Sequence, residues 1–253
     1  KREGDTINFE FLQGSKIVHG YINPQKVCAE ADIAEYEKLS VAFMRRLMEL
    51  NYSLFYSRFA MKDNRIVILS DSAVAAAPPR KLYYAWKELA TRADKQDDLL
   101  IDDFAMLKSI GNTSVEQLSE NEKEVKYAYF KKWLDETLKL VSELNEDAFS
   151  GANSYLLLNC AYKIDYLIAP EGTLMNDLEK MSWDYFARDN KPFPEKNRNM
   201  KKALEKIAAK PKEEILGDLY RTKSTFGIAN PAPHATIVDL VKNNINNVKW
   251  YID

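Results

Sequence analysis

The residues able to do chemistry are few and scattered along the chain. There are two histidines, His19 and His234, and two cysteines, Cys28 and Cys160. A serine nucleophile needs a base, usually histidine, and His234 with Asp239 and a serine is the one such set that can be assembled. It would make a hydrolase-like enzyme. The stronger reading makes His234 a first-turn residue of the last helix, near a cap, and His19 a sheet residue rather than a base. Zinc needs several Cys or His ligands at short spacing, and these four dispersed residues supply none. Both cysteines sit in apolar patterns and read as reduced, buried thiols. A phosphate cradle needs clustered glycines after a strand, whereas the eight glycines here are spread out.

Carboxylates give two further candidates. Asp97, Asp98, Asp102 and Asp103 form an acidic run, and Asp98 and Asp102 stand one helical turn apart. Such spacing presents oxygens to a hard cation, but the alternating ligand loop of a calcium site is missing. A solvated helix face is the expected role. Asp165, between Tyr162 and Tyr166 in an apolar helix, reads as a structural hydrogen-bonding group. No cofactor or metal is implied, and the chain is expected not to be an enzyme.

The bulk properties agree with a globular binding protein. Of the 253 residues, 46% are hydrophobic and 29% charged, an ordinary globular balance. A net charge of -2 and a pI near 5.9 argue against broad nucleic-acid binding. The densest basic run, Lys191 to Lys212, reads as a solvated helix face. No signal-peptide pattern and no bilayer-length apolar run is legible, so no membrane role and a cytoplasmic location are expected.

The elements that must position these residues divide at about residue 112. Ile7, Phe9 and Phe11 alternate with polar residues as in a half-buried strand. Ile17–Ile22 returns as its hairpin partner after a Gln13–Lys16 loop. A helix is expected from about Val27 to Leu50, with Tyr36, Leu39, Phe43, Leu47 and Leu50 on one face. A second hairpin follows, Leu54–Met61 and Ile66–Leu69. Pro78–Pro79 opens a helix whose stripe, Leu82, Ala85, Trp86, Leu89, Ala90 and Ala93, continues through Leu100, Phe104 and Leu107. Beyond residue 112 the pattern is helical throughout. A capping box at Ser119–Glu122 opens the first helix, and others are expected near 151–169, 172–187, 197–209 and 211–221. Pro192–Phe193–Pro194 reads as a break, and a last helix carries Ile237, Leu240, Val241 and Ile245. The fold class is thus α+β: a small antiparallel sheet of two hairpins packed with helices (1–112), then an all-helical domain (113–253).

Residues Ile7 to Leu107 resemble the type III secretion chaperone-like fold and the YbjN-type domains related to it. The resemblance is carried by the strand Ile17–Ile22, the helix ending Leu47–Asn51, the strand Phe55–Met61, a polar turn, the run Ile66–Leu69 and the long helix from Leu82. It implies a non-enzymatic module that pairs with itself or binds another polypeptide. A small sheet covered on one side leaves a face or an edge for a partner. Tyr21, Tyr56 and Arg58, on the less apolar strand faces, are the candidate contacts. Trp250 and Tyr251 join them, because an apolar terminus implies docking.

Three functions are therefore in view. The leading one is a protein- or peptide-binding, chaperone-like chain, with a homodimer as a further possible partner state. The others are a hydrolase-like enzyme near His234 and a regulatory sensor holding a small ligand in an apolar cavity between helices.

Overall fold

The computed structural model describes residues 1–110, 114–227 and 232–252, with side chains described as far as Lys249. Residues 111–113, where the division near residue 112 falls, lie outside the described residues, as do the side chains of Trp250 and Tyr251.

The chain is α+β. Strands β1 (Arg2–Glu3), β2 (Thr6–Gln13), β3 (Lys16–Ile22) and β4 (Lys26–Tyr36) form an antiparallel meander. Helix α1 (Val41–Tyr52) and the hairpin β5 (Arg58–Lys62), β6 (Arg65–Ala73) follow. β6 adds to β4, so the sheet order is β1-β2-β3-β4-β6-β5, with β7 (Leu107–Ser109) pairing to the end of β4. Asp63 and Asn64, both at positive φ, make the tight turn of the β5–β6 hairpin. Helix α2 (Pro79–Asp103) crosses one face of the sheet.

One expectation is corrected here. The helix expected from Val27 starts only at Val41, and residues 26–36 are the strand at the centre of the sheet. Val27, Ala29, Ala31 and Ile33 are buried while Cys28, Glu30 and Asp32 point the other way, a strict period of two. The alanines and glutamates are good helix formers, but pairing on both sides with β3 and β6 outweighs local preference. Ser40 then opens α1, its hydroxyl accepting the Phe43 amide at 3.1 Å. The sheet is accordingly larger than two hairpins. Leu54–Ser57 is loop rather than strand, and Leu107 belongs to β7, not to α2.

The later half is helical: α3 (Glu120–Glu143), α4 (Ser150–Lys163), α5 (Gly172–Phe186), α6 (Phe193–Ala208), α7 (Lys212–Gly217) and α8 (His234–Ile252). Pro192 and Pro194 start α6 rather than breaking the chain, since proline is tolerated in a first turn. The half is not purely helical, because β8 (Glu116–Gln117) pairs with β9 (Tyr220–Arg221).

Two cores result. One packs the inner sheet face on α1 and α2, around Phe43, Ile33, Ile66, Ile68 and Leu89. The other lies among α3 to α7, around Phe130, Leu134, Leu157, Ile164 and Leu174. Phe226 belongs to the first core although it comes late in the chain. Its backbone N–H and C=O bond the Gln13 side chain at 2.9 and 3.2 Å, and Thr225 donates to the Leu12 carbonyl.

Candidate functional site: an acidic seam and an aromatic cleft

The inner stripe of α2 runs from Leu89 through Ala93 to Leu100, and periodicity carries it across Gln96 and Asp97. Asp97 is consequently buried. This corrects the expectation of a solvated face, which holds only for the exposed Asp102 and Asp103. Asp97 Oδ2 is met by Lys16 Nζ at 2.9 Å and by the Ser15 hydroxyl at 2.7 Å. Lys16 is itself buried and also donates to the Ile33 carbonyl at 3.2 Å. The Gly14–Ser15 turn of the β2–β3 hairpin fits under α2 because Gly14 has positive φ and no side chain. A Cβ there would stand 1.7 Å from an Asp94 oxygen. Asp94 accepts the Ser15 amide at 2.9 Å.

Opposite α2, the start of α5 and the segment after α7 bring up more acid. Asp218 takes the Leu174 amide at 2.8 Å and the Thr173 hydroxyl at 3.0 Å at the first turn of α5. Glu171 accepts from Thr222 at 2.9 Å, and Tyr220 donates to Asp98 at 3.4 Å. Five carboxyl groups thus share a seam in which Asp97 is buried and the other four are partly buried. Burial pushes Asp94 up to about 7, with the neighbouring carboxylates adding to it. Asp98 is likewise pushed up to about 7 by burial and then by Asp97. Burial also raises Glu171 and Asp218. The cause is the same throughout: a charged carboxylate loses hydration and gains like-charged neighbours.

The seam opens into a cleft between α4 and α5. After Lys163 the helix widens into a π-helical turn, Ile164–Ile168, and stops at Ala169, which has positive φ. Across it, Glu179, Ser182, Trp183 and Phe186 recur at three, four and seven residues along one face of α5. Together with Ala161, Tyr162, Asp165 and Leu178 they line a cavity of about 350 Å³. Its walls are aromatic and open to solvent: Trp183 is 75% and Phe186 62% exposed. Glu179 is held by Lys95 of α2 at 2.5 Å. Asp165 has no hydrogen bond or ion pair among the described residues, so the expected structural hydrogen bond is not made. Burial against the cleft walls, and then Glu179, raise its carboxyl above the ordinary range.

The other candidates fall elsewhere. Tyr21 and Arg58 lie on the outer sheet face, around Asp71, which pairs with Arg58 at 2.7 Å and Lys26 at 2.9 Å. Tyr56 stands in the loop before β5, where the amides of Phe55, Tyr56 and Ser57 all donate to the Glu88 carboxylate at 2.8–3.0 Å. Cys28 is half-buried and Cys160 buried, both free. His19 is exposed on β3 beside Glu10 at 3.5 Å. His234 opens α8, and no hydrogen bond joins it to Asp239 or to a serine among the described residues. No group of three or more His, Cys, Asp or Glu among the described residues is placed to hold a metal ion. No helix among them is long and apolar enough to cross a membrane.

Sequence reasoning missed Asp94, Glu171, Asp218 and the α5 face. For Asp97 the signal was present, as an acidic residue on an otherwise apolar stripe. For Trp183 and Phe186 the three-four spacing is that of a core face, and only the packing of α4 and α5 reveals that it is uncovered. No protein-family model matches the chain, and no curated protein matches it.

Proposed function

We propose that this chain is a non-enzymatic, cytoplasmic, chaperone-like protein that binds another polypeptide, and that the α4–α5 cleft is its binding surface. The cleft carries the reading: Tyr162, Trp183 and Phe186 stand exposed around one apolar hollow. Exposed apolar patches of this kind mark interaction sites, and aromatic side chains are the usual anchors. At about 350 Å³ the hollow takes a few anchoring side chains, and its open side lets a backbone pass. The unpaired Asp165 selects for a basic residue beside those anchors. The resemblance of the first half supports the same class of function. Ile17–Ile22 and Ile66–Leu69 lie in strands and a long helix starts at Pro79, while the strand expected from Phe55 begins only at Arg58 and β4 stands where the first helix was expected to begin.

A random peptide library displayed on phage and selected on the immobilised chain tests the reading. The expected outcome is a consensus of apolar residues flanking Lys or Arg, whose binding Trp183→Ala weakens at least about tenfold. No consensus, or one indifferent to Trp183→Ala, overturns it. The same hollow also suits a small apolar ligand. A compound that stabilises the protein through Trp183, in a chain that selects no peptide, would favour that second reading.

A further inference from the structure

Helix α8 has an apolar stripe that the described residues leave exposed. Ile237, Leu240, Val241, Ile245 and Val248 fall within an arc of about 140°, at roughly 100° per residue. Each is nonetheless 49–62% exposed. Among the described residues, no α8 residue belongs to either core or lines the α4–α5 cleft. A stripe of this width on a water-soluble helix is one that packs against something. Lys242 and Lys249, one heptad apart, flank it along the same edge.

The cleft has the complementary features. Its floor is apolar, and its rim carries two carboxylates, Glu179, paired with Lys95, and the exposed Asp165. Its α5 wall is itself a three-four-seven face, which a third helix laid between α4 and α5 would cover. Among the described residues, no α8 residue of the same chain lines the cleft.

We infer that α8 of one copy seats in the α4–α5 cleft of a second copy, with its lysine edge toward Asp165 and Glu179, and that the exchange is reciprocal. This rests on the proposal that the cleft binds a polypeptide, and it names the partner. Each copy gives one helix and receives one, so the assembly closes as a two-fold dimer. The contact buries five half-exposed apolar side chains twice over and sets the lysine edge against the exposed Asp165 carboxylate.

The test is the solution mass of the full chain by light scattering, at about 10 μM and about 1 μM. The expected mass at the higher concentration is twice 29.2 kDa. Ile245→Glu, on the helix, and Trp183→Ala, in the cleft, should each raise the dimer dissociation constant at least about tenfold. Both residues are exposed, so both variants fold. Mixing the two variants leaves one contact intact and puts both defects in the other, so, with either substitution alone enough to abolish a contact, the mixture should associate more tightly than either variant by itself. A labelled peptide of residues 234–253 should bind the Ile245→Glu chain and not the Trp183→Ala chain. A monomeric wild type, or a dimer indifferent to both substitutions, overturns the inference. If the peptide fails to bind but phage selection still returns a Trp183-dependent consensus, the cleft binds a foreign polypeptide and only the second-copy assignment falls. If both fail, the cleft is not a polypeptide site.

Discussion

The outer face of the sheet and the seam between α2 and α5 are built from the same residue types to opposite effect. On the sheet, acids meet bases in the open: Glu30 with Lys62, Asp32 with Arg65, Asp71 with Lys26 and Arg58. In the seam, Asp94, Asp97, Asp98, Glu171 and Asp218 share one deeply buried lysine, Lys16, with Lys210 and Lys95 only at the margins. A pair in water has its Coulomb attraction screened and contributes little. A carboxylate without water responds to every neighbour, which is why perturbed pKa values gather in the seam. The pairs on the sheet keep one face of an antiparallel sheet wet. The seam lies between α2 of the first core and α5 of the second, and its carboxyls stand above their ordinary values.

The largest effect expected is at Lys16. Lys16→Met keeps the volume but leaves Asp97 buried without a cation, and should destabilise the chain by about 3–5 kcal/mol in denaturant unfolding. A loss under about 1 kcal/mol would mean that the seam already takes in a cation or a proton at Asp97.

Next comes pH. Asp94 and Asp98 have folded values of about 7 against an ordinary value near 3.8. The folded chain therefore holds protons that the unfolded chain has released. The stabilisation is complete below about pH 4 and is lost as pH rises through 7. Unfolding free energy should fall by about 4 kcal/mol between pH 5.5 and pH 8, about 2 kcal/mol from each group. Asp98→Asn, which cannot ionise, should remove about 2 kcal/mol of that fall and raise stability at pH 8. Equal pH profiles for variant and wild type would assign the slope to other groups.

The smallest effects sharpen the contrast from the sheet side. Lys62→Ala removes an exposed pair with Glu30 and should cost no more than about 0.5 kcal/mol, with little change in pH profile. Arg58→Ala leaves Asp71 paired with Lys26, and a similarly small loss is expected. If either change costs as much as Lys16→Met, the distinction between the two regions fails.

Much of the architecture was legible in one dimension. Alternation placed β2 and β3, the proline pair placed the start of α2, and the Ser119 cap placed α3, where the hydroxyl takes the Glu122 amide. These features obey rules reaching a few residues along the chain. Residues 26–36 were not legible because their alternation is written in alanine and glutamate, which also suit a helix, and pairing with two other strands decides between them.

The candidate site was legible only in fragments. Sequence alone determined that Asp97 interrupts an apolar stripe, that α8 has a greasy face and that α5 carries a three-four-seven row. It held no record that Lys16, 81 residues earlier, would come to lie against Asp97, or that Glu171 and Asp218 would face α2. It could not say that the α5 row would be left uncovered while its mirror positions, Leu174, Leu178 and Met181, were buried. Periodicity states which residues share a face. What that face meets, a core, a carboxylate or water, is set by contacts between segments far apart in the chain, and those exist only once the two cores have packed.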